Sequence, residues 1–229
     1  MDSLELRPPS AGWLREAGAR IRFMCLTKMI GTALTMTAFF IGYFWLLNHS
    51  RSPVTTVPRI FIDRMVAFWP GALVLYVSLW VYVPLAPALM KIRLEMFSYL
   101  GAVIVMSLVG FGIFILWPTA VPKTGIIWSQ HPSVFYLKAV DASGNAFPSL
   151  HVAFAVFTAV WMGRLLRAMG AGGGVRALNW LWCFGIVYST LAIRQHVALD
   201  AIAGVVLGAL VAIAHLRFLG ALRGRAPSP

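Results

Sequence analysis

A chain of 229 residues with 60% hydrophobic side chains and a mean hydropathy of +0.81 has too much apolar surface for a soluble globule and requires lipid around it. Its net charge of +12 sits on bases that flank the apolar runs, which suits anionic headgroups, and no nucleic-acid motif accompanies it. The length leaves room for one membrane domain, expected over residues 23–219, and no second folded domain.

In chain order, residues 1–22 set Trp13, Leu14, Ala17 and Ile21 among Arg15, Arg20 and Arg22, which reads either as an interfacial amphipathic helix or as a basic tail. The first apolar run starts near Phe23; it is too long for a signal-peptide core and lacks a small-residue cleavage site. Runs at about 24–47, 66–89, 97–117, 149–168, 178–194 and 198–218 approach the roughly 20 residues that cross a bilayer. The expected fold is therefore an all-α integral membrane protein with six transmembrane helices. Connections are short except 118–148, where Pro118, Pro122, Lys123, Trp128, Pro132, Phe135 and Tyr136 predict a segment lying at the interface. Gly172-Gly173-Gly174 reads as a flexible linker, and residues 220–229 as a short basic tail. Cys25 and Cys183 fall inside apolar runs and read as small buried hydrophobes, without disulfide or metal spacing.

Alternating the six spans puts thirteen of the nineteen Lys and Arg residues on the side of the N-terminus. That asymmetry predicts both termini in the cytoplasm of a cell (inner) membrane protein. His151 then opens the fourth span and His196 closes the fifth, so both are expected at the outer interface.

Asp200 is the only acidic residue inside these apolar runs. An intramembrane carboxylate marks a functional site with a nearby partner. On a helix it shares a face with His196, four residues earlier, and can fix that ring's Nδ1–H while Nε2 stays free to attack phosphorus. The plainer alternative is a polar clasp between helices with Arg194 as an interfacial anchor. In Phe147-Pro148-Ser149-Leu150-His151, a proline at the first helical position leaves the next backbone amides unpaired at the positive helix end, a cradle for phosphate. Ser149 would add a hydroxyl, Leu150 its amide, and His151 would stand beside the anion; the alternative is an ordinary helix start with an interfacial histidine. Lys123 and Arg194 suit an anion and argue against a zinc site built from His151, His196 and Asp200. Lys123 reads equally well as a helix-end anchor. His49, His131 and His215 are expected at interfaces, Asp141 in solvent, and Gly204 with Gly208 as a helix-packing pair.

Together these segments resemble the type 2 phosphatidic acid phosphatase superfamily of membrane lipid-phosphate enzymes. Its pattern is Lys-x6-Arg-Pro, then Pro-Ser-Gly-His, then Ser-Arg-x5-His-x3-Asp. Pro148-Ser149-Leu150-His151 matches the second motif with Leu in place of Gly, while His196-x3-Asp200 and Ser189 match the third. The closer resemblance is to the inositol phosphorylceramide synthase-like branch, where Pro-Ser-Leu-His is usual and a Pro-Thr-x-x-Pro-basic segment replaces the first motif; Pro118-Thr119-Ala120-Val121-Pro122-Lys123 fits it. The third-motif arginine would fall at Thr190, with Arg194 one turn later as its replacement, and Lys123 is followed seven residues on by Gln130 rather than Arg.

The resemblance implies a lipid-phosphate substrate drawn from the surrounding membrane lipids and a metal-independent reaction without cofactor. His196 would form a phosphohistidine, Asp200 would hold its tautomer, and His151 would protonate the leaving oxygen. Lys123, Ser149, Leu150 and Arg194 would bind the phosphoryl group. Hydrolysis gives a phosphatase; transfer to a lipid, sugar or polyol hydroxyl gives a phosphotransferase. A transporter with a His–Asp proton relay fits less well, because both histidines are expected at one face whereas transport sites lie near the midplane.

Overall fold

The computed structural model describes residues 10–49, 53–140 and 145–224; the readings made for residues 1–9, Arg51, Asp141 and the end of the basic tail lie outside these residues. Of the two readings of the N-terminal segment, the chain takes the helix: α1 (Ser10–Arg22) buries Ala17 and packs Trp13 against the core while Leu14 and Ile21 stay exposed. Its Glu16 holds Arg20 at 2.8 Å and lies 3.7 Å from Lys91. α2 (Cys25–Asn48) follows at once. Near its start, buried Lys28 donates to the carbonyls of Arg20 and Ala88, at the last turns of two other helices, where helix carbonyls lack partners.

A short strand β1 (Thr55–Thr56) and one-turn helix α3 (Phe61–Met65) precede a second long element. That element is jointed: a 3-10 turn at Pro70–Ala72, α4 (Leu73–Val77), a break at Ser78, and α5 (Leu79–Leu89). α6 (Arg93–Leu116) leads to β2 (Thr119–Ala120), which pairs in parallel with β1. The long connection is thus partly ordered secondary structure: β2, a 3-10 turn at Trp128–Gln130 and α7 (Pro132–Val140). α8 (Leu150–Ala168), α9 (Gly173–Ala192) and α10 (Ala198–Gly224) complete the chain. Gly173 and Gly174 are the first residues of α9, not a linker.

Among the described residues, five elements are long and apolar enough to cross a membrane: Cys25–Asn48, Pro70–Leu89, Arg93–Leu116, Leu150–Ala168 and Ala198–Ala221. The remaining expected span, 178–194, corresponds to α9, whose 20 residues suffice in length. Arg176, Asn179 and its glycines dilute its apolarity, so it stands outside those five.

α8 is the axis, and its apolar stretch is the most buried of the five. α5, α9 and α10 pack around it. α10 approaches through two glycines: a Cβ at Gly204 would overlap the Ser149 carbonyl oxygen, and one at Gly208 that of Ala153. Buried polar links join the other helices, as expected where hydrocarbon offers no alternative partner. Tyr82 Oη donates to Asn179 Oδ1 (2.7 Å), whose Nδ2 donates to the Ala159 carbonyl (3.0 Å), tying α5, α9 and α8 together. Glu95 on α6 meets Arg164 on α8 at 2.7 Å. His215 is not an interfacial residue: it is 8% exposed and packs against the rings of Trp161 and Phe157.

Candidate active site

One end of the bundle gathers the segments that carry the chemistry. The β1–β2 pair, extended by Val57 N–H to the Ala120 carbonyl (3.0 Å), fixes the chain before Lys123. Thr119 reaches onward: its carbonyl accepts from Ala146 N–H and its hydroxyl from Phe147 N–H, at 3.2 and 2.8 Å. The residues just before α8 are therefore held at the same end as the start of the long connection.

The helix start at Ser149 differs from the expected cradle. Ser149, not Pro148, begins the helix: it is the N-cap, and its Oγ accepts from Val152 N–H at 3.3 Å. Its own N–H donates to the Asp200 carbonyl at 3.0 Å. Of the three amides after Pro148 that of Ser149 is thus engaged, and the cap takes the next one along, that of Val152, because a capping serine turns back on its helix. Ser149 is fully buried, and its hydroxyl hydrogen is left to donate. The Leu150 side chain points into α6, where a Cβ on Gly110 would come within 2.5 Å of it.

His151 lies against aromatic rings from the jointed second element. The Tyr76 ring stacks on it with centroids 3.9 Å apart and planes at 10°, and Trp80 meets it edge-on at 6.1 Å. Among the described residues its Nε2 is buried without a hydrogen-bond partner.

His196 and Asp200 do not share a helix. α9 ends at Ala192 and α10 begins at Ala198, so His196 lies in the turn between them. The Thr190 carbonyl pins that turn by accepting from both Gln195 and His196 N–H, at 3.0 and 3.1 Å. Asp200, fully buried in the first turn of α10, reaches back: Oδ2 accepts from Val197 N–H at 3.0 Å and stands 3.5 Å from His196 Nδ1. That separation exceeds a hydrogen bond, although catalytic contacts are often long without substrate.

The cations are placed differently from the sequence reading. Arg194 is beyond the end of α9, with φ of 60°, and does not present its guanidinium from the helix face of position 190. Its Nη2 donates to the Val66 carbonyl at 2.8 Å and Nη1 to that of Asp63 at 3.4 Å. Burial pushes the Arg194 pKa below its usual range, the nearby charge of Arg59 adds to this, and Asp63 opposes it. Lys123 is exposed, and its carbonyl accepts from Arg59 Nη2 at 3.5 Å. Thr190 is buried, with its hydroxyl bonded to the Val187 carbonyl.

A family model described as the PAP2 superfamily matches residues 94–223, more than half of the chain. The chain belongs to the PAP2 superfamily. No curated protein and no solved structure matches it. Membership supports phosphatase or phosphotransferase activity in general, within a membrane protein. The PAP2 match covers His151, His196 and Asp200, but it begins after Tyr76, Trp80, Asp63 and Arg59. Those four were missed in the sequence because each contacts the motifs only through the fold. An acidic residue just before an apolar run was the one available signal for Asp63.

Proposed function

We propose that this PAP2 protein is a membrane lipid-phosphate phosphatase working through a phosphohistidine on His196. The observation that carries the reading is the buried Asp200 carboxylate 3.5 Å from His196 Nδ1, with His151 in the first turn of α8. A carboxylate there selects the tautomer with Nδ1–H, so Nε2 offers its lone pair. Nε2 attacks phosphorus in line, the bond from phosphorus to the lipid oxygen breaks, and protonated His151 gives its proton to that oxygen. In the second half, His151 takes a proton from water, the oxygen attacks the phosphohistidine, and phosphate departs from Nε2. Lys123, Arg194, the Ser149 hydroxyl and the Leu150 amide bear on the phosphoryl oxygens. The site faces outward with both termini in the cytoplasm, following the asymmetry of the bases. Substrates are sought among phosphatidic acid, phosphatidylglycerol phosphate and polyprenyl phosphates or diphosphates.

A second reading rests on Pro148-Ser149-Leu150-His151 and the Pro118–Lys123 segment, which resemble the transferase-like branch. There a lipid, sugar or polyol hydroxyl replaces water. The deciding experiment presents purified protein in detergent with labelled lipid phosphates, with and without diacylglycerol, ceramide or polyols. Free phosphate independent of acceptor establishes the phosphatase; label in a new lipid or polyol establishes the transferase. Absence of both ends both readings.

A further inference from the structure

We propose that Asp63, which lies outside the PAP2 match, is a positioning residue for His196; the inference rests on the phosphohistidine reading above. Asp63 sits on the single turn α3 and is 6% exposed. Oδ2 accepts from Ile60 N–H at 2.8 Å, closing its own helix start. Oδ1 crosses to the other segment and accepts from Ala198 N–H, also at 2.8 Å. Ala198 is the first residue of α10, where backbone donors have no partner within the helix and a negative charge is favoured. Successive amides at that helix start are thus held by two carboxylates. Val197 N–H goes to Asp200 of the same helix, and Ala198 N–H to Asp63, 135 residues earlier in the chain.

The link is reciprocal. Arg194 donates to the carbonyls of Asp63 and Val66, and Trp69 N–H donates to the Ala192 carbonyl at 3.0 Å. Residues 63–69 therefore grip the turn at 192, 194 and 198, on both sides of His196. Within the turn, the His196 main chain is held by Thr190, while its ring approaches Asp200 at 3.5 Å, beyond hydrogen-bond length. The ring's height above the α10 start consequently depends on where residues 63–69 hold that start. Both Asp63 oxygens accept from main-chain N–H groups, which suits an ionised anchor and not a proton donor.

The test compares wild type, Asp63→Ala and Asp63→Asn, purified in detergent. It measures kcat and KM on a lipid phosphate, the melting temperature, and the rate at which diethyl pyrocarbonate modifies His196 relative to exposed His49, read by mass spectrometry. A displaced catalytic group costs on the order of 100-fold. Asp63→Ala is expected to lower kcat by about tenfold to 100-fold with KM within about threefold, and to raise His196 modification at least about threefold. Asparagine can satisfy only one of the two amides and should fall between. Should Asp63→Ala fail to fold, Asp63→Asn decides alone: a kcat lowered about threefold or more at unchanged KM supports the role. A folded variant with wild-type kcat and wild-type His196 modification overturns it. So does a loss matched by a lower melting temperature and by equal exposure of every histidine, which would make Asp63 a fold stabiliser only. If wild type turns over no lipid phosphate, the phosphatase reading fails while the His196 modification rate still decides the role of Asp63.

Discussion

The ring of His151 lies flat on that of Tyr76, 3.9 Å between centroids and 10° between planes. Stacking of this kind is worth about 0.5–1.5 kcal/mol beyond burial, and it fixes the plane in which the imidazole stands. Tyr76→Phe keeps the face and should leave kcat within about threefold, whereas Tyr76→Ala frees the ring and should lower kcat about tenfold or more. Steady-state kinetics on the two variants check this; equal activity in both would detach Tyr76 from the chemistry.

His196→Ala should abolish turnover and acid-labile labelling of the protein while leaving a folded, monodisperse sample. Asp200→Asn keeps an oxygen for Val197 N–H but no longer favours the Nδ1–H tautomer. It should retain residual activity, reduced on the order of 10⁴-fold, as for other orienting carboxylates. Rapid-quench labelling with radioactive substrate measures both; full activity in purified His196→Ala would remove the nucleophile from the scheme.

Arg194 and Lys123 should separate in their effects. Lys cannot reproduce a guanidinium fork that reaches two carbonyls, so Arg194→Lys should lower the melting temperature as well as kcat. Lys123 is exposed, so Lys123→Ala should raise KM with an unchanged melting temperature. Thermal melts beside saturation curves distinguish the two patterns.

Gly208→Ala pushes a methyl group onto the Ala153 carbonyl and should destabilise the α8–α10 contact by about 1–3 kcal/mol. The readout is the melting temperature in detergent, with Gly220→Ala, where the added Cβ meets nothing within 4 Å, as the control.

The proposed chemistry uses histidines and a carboxylate without Lewis-acid help. EDTA should therefore leave phosphate release unchanged, and added zinc should not raise it. Loss on chelation with recovery on zinc would move His151, His196 and Asp200 into a metal-centred scheme.

Hydropathy over some 20 residues is a local property, and the runs near 24–47, 97–117 and 198–218 locate α2, α6 and α10 within a few residues at most ends. α9 shows the limit: Arg176 is exposed near its start, and Asn179 is tolerated because it is bonded to Tyr82 and Ala159, a relationship invisible in the chain. The four-residue spacing of His196 and Asp200 was legible, but its geometry was not. A carboxylate in the first turn of a helix reaches back to the preceding residues, which brings it near His196 without a shared face. Arg194 illustrates the other failure. Counting from position 190 along a helix sets it on the face of that helix, yet the helix has already ended, and the partners that fix the arginine lie about 130 residues away. Nothing local in the sequence ties Tyr76 or Asp63 to the histidines, since each acts on a segment that only the packing brings near.

Leu150 stands where the family pattern has glycine, and its side chain occupies the hollow over Gly110 of α6. Bulk at one of these positions therefore constrains the other: a Cβ at position 110 leaves the Leu150 branch no room where it stands. The departure from Pro-Ser-Gly-His is then one half of a packed pair, and Gly110→Ala and Leu150→Ala should be non-additive when combined.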